Sequence, residues 1–122
     1  MDVTKYSSLT KYIKSNDYSA ISYDDNNNTF ILKEDIVLSE IIDIGNLYIH
    51  KVVFLEDNEI FEGNGFTIDI SGLELSGFFD ISGTNCRIVN LNIINNNGSC
   101  FIQDNNHNFS LYNCKGSGIV NI

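Results

Sequence analysis

Residues 60–122 repeat themselves at intervals of 18 to 23 residues, and that period narrows the folds open to this chain more than any other feature. Gly98-Ser99-Cys100-Phe101-Ile102 aligns with Gly116-Ser117-Gly118-Ile119-Val120 at an offset of 18. The same offset carries Leu91 onto Phe109, Ile93 onto Leu111 and Asn95 onto Asn113. One copy earlier, an offset of 23 carries Ile68 onto Leu91, Ile70 onto Ile93 and Phe78 onto Phe101. A unit this short cannot enclose a core alone, whereas stacked copies bury a continuous one. The expected inward columns are Ile68, Leu91, Phe109 and Ile70, Ile93, Leu111, spaced by two as one strand face requires. Asn95 over Asn113 is expected to form a structural ladder, because an unsatisfied buried amide costs about 1–3 kcal/mol.

The rest of the chain fits short strands joined by tight corners. It has no proline and no tryptophan, and asparagine crowds its second half. Asn and Gly tolerate left-handed backbone angles, although nucleotide bias would enrich Asn as well. Residues 3–14 put Val3, Tyr6, Leu9 or Thr10 and Ile13 on one side at helical spacing, with lysines outside. Asp24-Asp25-Asn26-Asn27-Asn28 reads as a polar turn. Beyond it, Phe30 to Leu32, Ile36 to Leu38, Ile41 to Ile44, Leu47 to Ile49 and Val52 to Leu55 are short β runs. At 122 residues the chain is one domain, divided here into an N-terminal cap, residues 1–28, and stacked rungs, residues 29–122.

Three segments carry a family likeness: Ile60-Phe61-Glu62-Gly63-Asn64-Gly65-Phe66-Thr67-Ile68, Arg87-Ile88-Val89-Asn90-Leu91-Asn92-Ile93 and Tyr112-Asn113-Cys114-Lys115-Gly116-Ser117-Gly118-Ile119. They resemble successive turns of right-handed parallel β-helix repeat proteins, the pectate-lyase-like superfamily. The Asn- and Ile-rich style is also similar to that of β-helix proteins encoded by large DNA viruses. The likeness implies an all-β fold, a short right-handed parallel β-helix of about three to four rungs with an N-terminal helical cap. It does not imply one activity, since the superfamily spans lyases, glycosidases, tailspikes and adhesins.

The motifs favour structure over chemistry. Gly63-Asn64-Gly65 is followed by a strand pattern, not by the helix that a phosphate-binding loop needs, so it reads as a turn. In the repeat frame Asp69 stacks on Asn92 and Ser110, and Asp80 on Gln103 and Asn121. No acid pair forms there, so no catalytic residues are assigned, although a loop acid such as Asp104 could supply a partner. Asp24-Asp25 and Glu56, Asp57, Glu59 and Glu62 lack the ligand spacing of a calcium loop and read as solvated acidic turns. His50 and His107 are far apart in that frame, and no metal or other cofactor is expected. Three cysteines without a C-x-x-C pair suggest reduced thiols, mostly buried. The triplets Asn27-Asn28-Thr29, Asn97-Gly98-Ser99 and Asn108-Phe109-Ser110 fit a glycosylation pattern that an Asn-rich chain yields by chance.

A net charge of −9 argues against a nucleic-acid partner, and no apolar run reaches membrane-spanning length. The first residues lack a secretory leader, which suggests a cytoplasmic or virion-associated protein unless a leader has been removed. Two functions remain. Outward polar residues Asp69, Asn92 and Ser110, flanked by Tyr112, could bind or cleave a carbohydrate. The strand-like Gly118-Ile119-Val120-Asn121-Ile122 leaves an open C-terminal rung, which either packs on another copy or partner or begins a longer solenoid. The leading expectation is a non-catalytic structural module that forms a homo-oligomer through Ile119, Val120 and Ile122.

Overall fold

The computed structural model describes residues 9–37, 53–70, 78–94, 102–104, 109–116 and 120–121. Helix α1 (Leu9–Lys14) buries Leu9, Thr10, Tyr12 and Ile13 and leaves Lys11 exposed. Val3 and Tyr6, expected on the same face, lie outside the described residues. Asn16 ends the helix: its φ is 61°, and its amide donates to Ile13 O at 2.9 Å.

Strand β1 (Ile21–Asp24) pairs antiparallel with β2 (Thr29–Leu32). Asp24 pins the polar turn between them, accepting from Asn26 N at 3.0 Å and from Asn27 Nδ2 at 2.7 Å. These bonds, Asn27's foremost, hold the Asp24 carboxyl below the usual carboxylate range. Residues 21–24 are expected only as part of the cap. The strand signal there is Ile21 and Tyr23 alternating with Ser22 and Asp24 just before a turn-rich stretch.

All other described pairings are parallel. The first sheet runs β1, β2, β5 (Ile60–Glu62), β8 (Cys86–Val89), β11 (Phe109–Tyr112). The second runs β3 (Ile36–Val37), β6 (Thr67–Asp69), β9 (Asn92–Ile94), and the third β4 (Val53–Leu55), β7 (Phe79–Ile81), β10 (Ile102–Asp104), β12 (Val120–Asn121). From β2 onward the chain visits the first, second and third sheets in turn, then begins again. On the pass after β11, the second sheet receives a single bridge from Lys115 to Asn92. Residues 41–49, where two further short runs are expected, lie outside the described residues.

The core follows from the register. Phe30 lies beside Phe61, Phe61 beside Ile88, and Ile88 beside Leu111. Ile36, Ile68 and Ile93 make the corresponding column of the second sheet. Phe61 packs edge-on against Phe79 of the third sheet at 4.8 Å between ring centroids. Phe30, Phe61, Ile68 and Ile88, fully buried, each stabilise the fold by about 1.5–3 kcal/mol.

This register corrects the expected columns. Ile68 pairs with Ile93, not Leu91, and Phe109 and Leu111 pair with Cys86 and Ile88, not with Leu91 and Ile93. The offset of 18 holds where Ile102 meets Val120. It is 23 between Cys86 and Phe109, 25 between Ile68 and Ile93, and 27 between Phe61 and Ile88. The reason is that length changes at the corners: four residues (63–66) join β5 to β6, and two (90–91) join β8 to β9. Leu91 and Ile93 both face inward, so either could fill the column, and only the corner decides which one does.

Asparagine makes those corners. Among the described residues, every non-glycine with positive φ is an asparagine: Asn16, Asn28, Asn58, Asn64, Asn85, Asn90 and Asn113. Asn85 Nδ2 donates to Asn58 Oδ1 at 2.9 Å, and Asn113 Nδ2 to Asn90 Oδ1 at 2.8 Å. Asn113 thus has Asn90 as a partner, while Asn95, expected beside it, lies outside the described residues. Gly63-Asn64-Gly65 is a turn, and a Cβ on Gly63 would come within 2.5 Å of Asn90 O.

Candidate functional site

The four residues expected to form one binding face are divided between two sheets. Asp69 stands on β6 of the second sheet, paired with Val37 and Ile94. Asn92 stands on β9 opposite Thr67, and its Nδ2 donates to Gly65 O at 2.7 Å. Ser110 and Tyr112 stand on β11 of the first sheet, opposite Arg87 and Val89. The stack of Asp69 on Asn92 and Ser110 therefore does not form, for the same corner-length reason. Ser110 and Tyr112 do share one exposed strand, and Tyr112 is 71% exposed.

Asp80 follows the expected column, with Phe54 on one side and Gln103, then Asn121, on the other. Burial raises its carboxyl above the ordinary value. Its strand partners contribute no second carboxylate, so the column holds no acid–base pair.

The acidic turns bind internally. Glu59 is 4% exposed, which corrects its reading as a solvated acid. Its Oε1 accepts from Glu56 N at 2.9 Å, and its Oε2 accepts from Tyr23 Oη at 2.5 Å and Lys14 Nζ at 3.0 Å. Lys14 also reaches Glu56 at 3.4 Å and lies 4.8 Å from the centre of the Tyr23 ring. Asp57 Oδ1 accepts from Thr84 N at 2.8 Å, and Glu62 Oε2 accepts from Asn64 N at 2.9 Å and Asn90 Nδ2 at 3.0 Å. These carboxylates tie one pass of the chain to the next. Among the described residues no group of three or more His, Cys, Asp and Glu side chains could hold a metal ion. Cys86 and Cys114 are free thiols, while Cys100, His50 and His107 lie outside the described residues.

The two ends of the sheets differ. At the end bearing β1 and β4, side chains from the α1 region accept from strand-edge amides: Thr10 Oγ1 from Phe54 N at 3.0 Å, and Asn16 Oδ1 from Tyr23 N at 3.1 Å. Neither group stands out in the sequence, because their partners lie on strands distant in sequence or unanticipated. At the opposite end, β11 and β12 are outer strands of their sheets. Among the described residues no side chain closes the outer edge of either. Phe30, Phe61 and Ile88 are fully buried, whereas Leu111, the next in their column, and Phe109 are only half-buried. Val120 belongs to β12; Ile119 and Ile122 lie outside the described residues. No helix among the described residues is long and apolar enough to cross a membrane. Compared with known proteins, the chain matches no family model, no curated protein and no solved structure.

Proposed function

We propose that the chain is a short right-handed parallel β-helix acting as a non-catalytic structural module that self-associates through the edge carrying β11 and β12. The observation behind this reading is the inward column of the first sheet, fully buried at Phe30, Phe61 and Ile88 and only half-buried at Leu111. Covering that apolar surface is worth about 25 cal/mol per Å². The recurrent order of the three sheets supports the solenoid, and crossover connections between parallel strands are right-handed in nearly all proteins. Val120 stands on β12, the outer strand of the third sheet. Molar mass by light scattering tests the reading: the native chain should assemble as concentration rises, and Leu111→Asp should not. Val120→Asp serves as a second variant where Leu111→Asp unfolds. A native chain that stays monomeric at every concentration overturns the reading.

One observation favours a second reading, a carbohydrate-binding surface. The Tyr112 ring is 71% exposed on the strand that also presents Ser110, and an aromatic face beside a hydroxyl suits a sugar ring. Asp69 and Asn92 would then form a separate patch. Retention on a glycan panel, lost in Tyr112→Ala, supports this reading; a flat response across the panel overturns it.

A further inference from the structure

Resting on the self-association reading, we infer that the partner is a second copy joined end to end across a two-fold axis, with β11 antiparallel to its own counterpart, and that the assembly stops at two. Three observations converge on this arrangement. First, strand addition is hindered on β1 and β4, because Thr10 Oγ1 occupies the Phe54 amide and Asn16 Oδ1 the Tyr23 amide. Side chains that occupy edge amides deny them to an incoming strand. A head-to-tail chain needs both ends, so an end with hindered strands favours the isologous contact, in which a surface meets its own copy and the assembly closes.

Second, charge allows this contact. All 16 Asp and Glu residues lie at or before Asp104, and the 18 residues beyond it carry Lys115 and His107. A chain of net charge −9 resists its own copy almost everywhere, but β11 and β12 lie in the stretch without acids. Third, β11 brings the half-buried Phe109 and Leu111 and the exposed Tyr112 to one outer strand. Antiparallel pairing of β11 with itself places the same apolar residues on both sides of the axis, with straight inter-strand hydrogen bonds.

The test is molar mass against concentration for the native chain, Ser110→Lys on β11 and Ser22→Lys on β1. The native chain should rise from 13.7 kDa to twice that mass and then level off. Ser110→Lys should raise the concentration of half-assembly by about tenfold or more, and Ser22→Lys should leave it unchanged. Amide exchange in the native protein should slow with concentration at β11 and not at β1, which gives an answer even where Ser110→Lys misfolds. A mass that keeps growing, and that Ser22→Lys suppresses, overturns the two-fold arrangement while self-association stands. A monomer at all concentrations overturns both.

Discussion

Glu59 is buried, and both of its carboxylate oxygens accept hydrogen bonds. It sits in an acidic run, yet its hydroxyl donor Tyr23 is 36 positions away and its cation comes from helix α1. Removing the donor isolates the effect: Tyr23→Phe leaves a buried carboxylate one bond short and should lower stability by about 1–3 kcal/mol in urea unfolding at neutral pH. The same variant should change the response to alkali. Burial first, and then the bond to Glu59, raise the Tyr23 hydroxyl above its ordinary value of 10. Above that value the unfolded chain gives up the proton that the folded chain keeps, so the contribution is complete below pH 10 and lost as pH rises. Tyr23→Phe should therefore show a shallower alkaline loss of stability than the native chain. Tyr18, also raised by burial, leaves a residual slope.

At the scale of elements, the segments with a clear period were legible: the buried side of α1 at Leu9 and Ile13, and the β runs at Phe30 and at Val53. Register was less legible, because an inward apolar residue on either side of a corner satisfies the same pattern, as Leu91 and Ile93 do. The candidate binding face depended on that register, and its four residues separated once the corners were known. The edge caps were illegible for another reason: Thr10 and Asn16 look like ordinary helix and turn residues until the strands they serve are in place. Thr10→Val tests the cap on β4. It keeps the shape of the side chain but leaves the Phe54 amide without its acceptor, and should cost about 1–3 kcal/mol in thermal or urea unfolding. Equal stability would mean that water or another group takes over the amide.

For the whole molecule, the balance is between distributed negative charge and two outer strands, β11 and β12, without acids. Screening weakens long-range repulsion between copies, with a Debye length of about 10 Å at 0.1 M salt, and leaves apolar contact intact. Self-association should therefore strengthen as sodium chloride rises from low to moderate concentration. Weakening over that range would point to an interface held by opposite charges instead. The hairpin of β1 and β2 has a consequence in time. It is the one described strand pair closed by a short turn, whereas parallel neighbours lie 18 to 32 positions apart. Each doubling of a loop adds about 0.6 kcal/mol to its closure, so the hairpin has a lead of roughly 2 kcal/mol over the longest of them. A hairpin forms in about 1–10 μs and offers its free side as a template. Folding is then a zipper with a fixed starting point, in which each later strand is captured by the one already laid down.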